Sequence, residues 1–302
     1  MSSADGKGAV ETVEAAPAKI NLALHVTGQR EDGYHLLDML VTFTEAGDVI
    51  RIRHADGDSF SISGRFAPDL LQSDASTNLV LTARDLLRSH ARQRDIATTP
   101  VAIHLEKNLP VASGIGGGSA DAAAALRGLI HQWQLDIGYK DLSGMALTLG
   151  ADVPMCLASK PLIAQGIGEE LTLLTQFPQL ALVLVNPLKG VSTPQIFRLL
   201  AHKQNKPLPA LPDDEGESWL PIMGGLRNDL QLPAISLLPE INDVLAMLRS
   251  EGADLARMSG SGATCFGIFS SLQKAEAAAA RLRERKPGWY VQETMSIAGR
   301  VL

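Results

Sequence analysis

Cysteine is nearly missing. Cys156 and Cys265 are the two in 302 residues, and they stand far apart in apolar surroundings. A disulfide framework is excluded as the organising device. A cysteine metal site would need more ligands close by, so both read as buried free thiols. Aromatic residues are scarce at 4%, which makes a Tyr or Phe beside a polar turn stand out. An excess of positive charge is also lacking: the net charge is −6. That argues against a nucleic-acid partner, but not against a small anionic one, for which a few lysines and backbone N–H groups suffice. The longest apolar run, 180–185, has the length of a buried strand and falls far short of a membrane span. Residues 1–14 are small, polar and acidic and lack the apolar run of a secretory signal. The expectation is a cytoplasmic chain with no membrane and no nucleic-acid partner, a monomer or homodimer, with residues 1–12 disordered.

What the chain does have is glycine in one place. Pro110, Val111, Ala112, Ser113, Gly114, Ile115, Gly116, Gly117, Gly118, Ser119 and Ala120 lead straight into an alanine-rich helix former. Glycine lets backbone N–H groups converge without side chains in the way. The helix start behind it offers unpaired donors and the positive end of its dipole. Together these can seat a phosphate, although a glycine-capped turn can also carry such a run. It is no Walker loop, because Gly118 is followed by Ser119 and Ala120 and not by Lys-Ser/Thr. It is a poor dinucleotide fingerprint, with Ser119 where a third glycine is wanted. The catalytic triplets of protein kinases are absent.

Three further stretches carry candidate chemistry. In Pro17-Ala18-Lys19-Ile20-Asn21-Leu22, Lys19 and Asn21 share one strand face and apolar residues the other; alone, this is also a half-buried strand. In Gly150-Ala151-Asp152-Val153-Pro154 the aspartate follows a helix end, where Asp is ordinarily a cap or turn residue. Gly260, Ser261 and Gly262 precede an apolar strand and form either a tight turn or a second close approach of backbone to a ligand.

The order Lys19, glycine loop, Asp152, late glycine turn resembles the GHMP small-molecule kinases, whose loop runs Pro-x-x-x-Gly-x-Gly-Ser/Gly-Ser/Gly-Ser-Ala. The resemblance implies ATP as phosphoryl donor with Mg²⁺, and an α+β, two-lobed fold with a nucleotide-binding N-terminal lobe (1–160) and a ferredoxin-like C-terminal lobe (161–302). It implies Lys19 and Asp152 as catalytic residues, Asp152 being the general base toward an alcohol and Lys19 stabilising charge on the transferring phosphoryl group. The loop residues 110–120 would hold ATP, with Asn78 and Lys107 lining the adenine pocket beside Thr77. Gly117 and Gly118, together with Asp32-Gly33-Tyr34-His35, are similar to the branch that phosphorylates the 2-hydroxyl of a cytidine diphosphate derivative in non-mevalonate isoprenoid precursor synthesis. There Tyr34 would stack on cytosine, His35 bond its edge and Phe197 cover the other face, with Asn21, Thr193, Gly260, Ser261 and Gly262 completing the substrate side. No metal ligand is nominated. The rivals are a relative acting on another alcohol, such as mevalonate or homoserine, and a nucleotide-binding relative without catalysis; the presence of both Lys19 and Asp152 argues against the second.

Periodicity and punctuation predict strands at 13–26 (broken by Pro17), 48–54 and 59–63 (a hairpin closed by Asp56-Gly57), 101–105, 180–185, 264–270 and 289–295. Helices are predicted at 77–92, 120–133, 141–149, 239–251 and 272–286. Residues 202–218 read as a surface excursion.

Overall fold

The computed structural model describes residues 11–71, 78–211 and 218–299. The predicted disorder of residues 1–10 and the role of Thr77 lie outside these residues; Thr12, by contrast, already belongs to a strand. The first sheet is built on two long antiparallel strands, β1 (Thr12–Gln29) and β2 (His35–His54). Pro17 does not break β1. It offers no N–H to a ladder, and the chain absorbs it as a shift of register between Pro17 and Lys19. The other edge of β2 takes two partners: β5 (Leu162–Gly166) along its first part and β4 (Val101–Glu106) along its last. β6 (Glu170–Leu173) pairs with β5, and β3 (Ser59–Ser63) lies outermost, parallel to β4.

The hairpin expected between 48–54 and 59–63 therefore does not form, because β4 inserts between its two arms. The reason lies next to the turn. Asp58 Oδ1 accepts the Val101 N–H at 2.9 Å, and Asp58 also binds Arg88, so the turn is anchored to β4 and to α2 (Leu79–Arg92). A short α1 (Ala67–Leu71) precedes α2. Asn78 caps α2 by accepting the Val80 N–H at 2.9 Å. Packed on the sheet are α3 (Gly117–Gln132) and α5 (Val153–Ala158), while α4 (Tyr139–Leu149) packs against α2, α3 and α5. α3 begins three residues before its predicted start and includes two of the glycines.

The second sheet holds β7 (Ala181–Asn186), β8 (Leu255–Met258), β9 (Cys265–Phe269) and β10 (Tyr290–Met295) in the order β10-β7-β9-β8. Between β7 and β8 run α6 (Thr193–Arg198), α7 (Trp219–Gly225), α8 (Gln231–Leu237) and α9 (Glu240–Ser250); α10 (Leu272–Arg285) joins β9 to β10. This is a split βαβ, ferredoxin-like lobe. By sheet membership the division between lobes falls after Leu173 and before Ala181, not at 160, because β5 and β6 complete the first sheet. The excursion at 202–211 is tied down: the Leu208 N–H donates to Asp38 at 2.8 Å.

A core lies between the sheets. Ala18, Ile20 and Leu22 of β1 meet Leu182 and Leu184 of β7 and Phe266 and Ile268 of β9, all at most 4% exposed. One face of β1 thus holds the lobes together, which leaves Lys19 and Asn21 on the opposite face.

Candidate active site

Lys19 reaches the site because its strand bulges. Its own N–H leaves the β2 ladder and donates to Ile115 O in the glycine loop at 2.9 Å. Its ammonium lies 3.0 Å from Asp152 Oδ2 and donates to Asn21 Oδ1 at 2.9 Å. The Lys19 side chain is 6% exposed and that of Asp152 38%, so the carboxylate is the half that faces outward. Asp152 occupies the N-cap of α5, yet its side chain makes no capping bond; the carboxylate is left for the ammonium and for a ligand. Arg127 on α3 fixes this corner by bonding Glu14, Ala15 O and Cys156 O. Burial pushes the Cys156 thiol up, and the same holds for Cys265, so both are inert thiols.

The glycine loop lies beside the pair. Gly116 is the N-cap of α3 at φ +68°, with no side chain to cap it, so the first N–H groups of α3 remain available to an anion. Gly114, at φ +77°, lies against the late glycine turn. A Cβ there would stand 2.5 Å from Gly262 O and 2.8 Å from Ser259 O. Ser259 Oγ donates to Gly114 O at 3.2 Å and accepts the Asn21 N–H at 3.0 Å, while the Thr264 N–H donates to Ser113 O at 3.1 Å. Asn228 supports the turn by donating to Met258 O and Gly260 O, both at 2.8 Å.

A cavity of about 500 Å³ is lined by Lys19, Asn21, Asp152, the loop residues 110–114 and 116–119, and Thr193, Phe197, Gly260 and Ser261. The structure thus brings together most of the residues singled out in the sequence. Some lie behind the wall. Ile115 and Ala120 are buried in the cores, Gly262 backs Gly114, and Asn78 stands at the cap of α2, next to the lining Leu79. Lys107 lines the cavity, but its ammonium is bound to Asp48 at 2.5 Å and Asp121 at 2.6 Å. Tyr34 is 60% exposed at the turn set by Gly33 (φ +90°) and does not line the cavity. His35 stacks on Phe197, ring centroids 4.5 Å apart at 23°. Its Nε2 is buried without a partner, and burial, then Lys203, holds its pKa below the ordinary histidine value. Thr193 Oγ1 and Ser261 Oγ are 2.7 Å apart, tying α6 to the late turn.

Residues 78–160 match the model of the GHMP kinases N terminal domain, and residues 208–288 that of the GHMP kinases C terminal. The chain is 60% identical, over 96% of its length and 98% of the relative's, to the 4-diphosphocytidyl-2-C-methyl-D-erythritol kinase of Agrobacterium fabrum (strain C58). It is 58% identical, over 95% of each chain, to the protein of the same name from Rhizobium leguminosarum bv. trifolii. Among solved structures, a 4-(cytidine 5'-diphospho)-2C-methyl-D-erythritol kinase superposes with a TM-score of 0.77 at 31% identity, covering 94% of this chain and 98% of that one. Mevalonate kinase of L. major shares the fold at a TM-score of 0.66 and 14% identity, each chain fully covered. Matched by the family's N-terminal and C-terminal models in turn, the chain belongs to the GHMP kinase family.

Proposed function

We infer that the chain transfers the terminal phosphoryl group of ATP to the 2-hydroxyl of 4-diphosphocytidyl-2-C-methyl-D-erythritol, a step of non-mevalonate isoprenoid precursor biosynthesis. The full-length identity to kinases of that name is the observation that carries this reading. The 3.0 Å Lys19–Asp152 pair facing a capless helix start supports the roles we assign to its residues. The N–H groups at 116–119 receive the transferring phosphate. Asp152 aligns the alcohol and takes its proton late, since phosphoryl transfer passes through a loose transition state. Lys19 offsets the charge that develops, and Asn21 holds the ammonium in place. The nucleotide belongs to the first-sheet lobe and the alcohol lies toward the second. Tyr34, His35 and Phe197 are assigned to the cytosine; the unpartnered His35 Nε2 and the flat Phe197 ring support that assignment.

Mg²⁺ accompanies ATP in this reading. Among the described residues no cluster of three His, Cys, Asp or Glu side chains could hold a metal ion. In this reading the ion enters on the nucleotide's phosphates, and no step is assigned to it. We place the chain in the cytoplasm as a kinase of small molecules; separately, no helix of the described residues is long and apolar enough to cross a membrane.

The test is ADP release from ATP with a panel of alcohols. The cytidyl substrate should be turned over, and mevalonate and homoserine should not. Tyr34→Ala should raise the KM of the cytidyl substrate about tenfold, the size of one lost base–aromatic stack. An unchanged KM together with turnover of another alcohol would replace this substrate by that one.

A further inference from the structure

The glycine loop has an entry and an exit, and each is held by a buried carboxylate. Asp48 Oδ1 accepts the N–H groups of Asn108 and Leu109, at 2.6 and 2.8 Å, where the chain enters the loop. Asp121 stands on α3, where the chain leaves it. Between them lies the Lys107 ammonium, bonded to both. The three side chains are 0–4% exposed. The pin sits directly under the helix start: a Cβ on Gly117 would come within 3.0 Å of Lys107 Nζ and 3.6 Å of Asp48 Oδ2. Asp121 Oδ1 has no hydrogen-bond partner.

We propose that Lys107, Asp48 and Asp121 are positioning residues for the phosphate cradle: one buried ammonium ties α3 to β2 and to the chain leaving β4, and so fixes the shape of the loop between them. The inference rests on the reading of that loop as the seat of ATP. It gives two of the three Lys107 ammonium donors to carboxylates, a role different from contact with adenine. Two carboxylates against one ammonium is an unusual balance for a site with almost no exposure to water. An apolar filling of the same volume would serve stability as well; what the ion triad adds is a fixed direction from each member to the next. Burial pushes the Asp121 carboxyl up, while Lys107 draws it down. Burial also opposes the charge on Lys107, but the two carboxylates outweigh it and hold its pKa above the ordinary lysine value.

The experiment compares wild type, Lys107→Met, Asp121→Asn and the double variant for kcat, for KM toward ATP and toward the cytidyl alcohol, and for melting temperature. Lys107→Met leaves two facing carboxylates uncompensated and should raise the KM for ATP at least about tenfold, the alcohol KM staying within about twofold. Adding Asp121→Asn removes one of those carboxylates and should recover ATP KM about threefold or more. If Lys107 itself touches the nucleotide, the second substitution recovers nothing or makes matters worse, and the positioning role falls. Should Lys107→Met not fold, Asp121→Asn alone decides. A rise in ATP KM of about threefold or more with the alcohol KM within about twofold supports the role. A smaller rise, or an equal rise in both, overturns it. Failure of the kinase reading would look different: the wild type would not consume ATP with the cytidyl alcohol.

Discussion

Asp152 illustrates how much one side chain depends on its neighbours. It occupies an N-cap, a place where aspartate ordinarily bonds the helix N–H groups, and its carboxylate instead meets Lys19. Asp152→Asn keeps an oxygen for the ammonium and removes the base. We expect kcat to fall by about 10²–10⁴, with ATP affinity changed less than about threefold, read by steady-state ADP release and by nucleotide titration. Equal losses in both would assign Asp152 to binding. Sequence reasoning reached Lys19 and Asp152 only through the family resemblance. On the residues alone, a half-buried strand for Lys19 and a cap or turn for Asp152 are the better accounts, because the partner that each side chain meets comes from a distant part of the chain. Asp48 gave no signal at all: its importance arises from Lys107 and the loop entry, which fold onto it. Asp121 was visible only as the residue after Ala120.

Elements built from local pattern were legible where one face alone is buried. α2 and α10 follow their predicted spans to within two residues. β4 and β9 were legible too, bounded by turn signals. β2 was seen only in its last third, since all of its residues from Asp38 to Phe43 are buried, on both faces, and alternation is lost. The false hairpin shows the converse: the turn signal at Asp56-Gly57 was real, but Asp58 gives it to another strand. α3 starts early because the loop glycines have left-handed and helical conformations within reach. Gly114 is the position where this is strictest. Gly114→Ala forces a side chain into φ +77° and against the backbone of the late turn. The left-handed conformation alone costs about 1–2 kcal/mol. We expect a melting temperature lower by several degrees and an ATP KM raised at least about tenfold. A variant with wild-type values for both would separate the two glycine turns.

At the scale of the whole molecule, the buried His25 and the half-buried His35 add a pH-dependent contribution to stability. Burial, then Arg227, holds the pKa of His25 below the ordinary value of 6.5, and its ring lies between Lys206 O and the Arg227 N–H. His35 is shifted in the same direction. Their folded values lie below the unfolded one, so on acidification through 6.5 the unfolded chain binds protons first. The stability these two histidines contribute is therefore full above neutrality and declines as pH falls from about 6.5. Compared by urea midpoints from about pH 8 to about pH 5, wild type should lose stability relative to His25→Gln as the pH falls below about 6.5; a constant difference between the two would move the effect to other groups.

The contact between the two glycine turns has a consequence for ancestry and for engineering. Backbone presses on backbone there with no space for a methyl group, so a side chain added on one turn displaces the other. A graft of the second half of a distant relative onto the first half of this chain would have to reproduce that seam atom by atom. Tyr34, exposed and outside the cavity lining, lies under no such constraint, and a side chain exchanged there leaves the seam untouched.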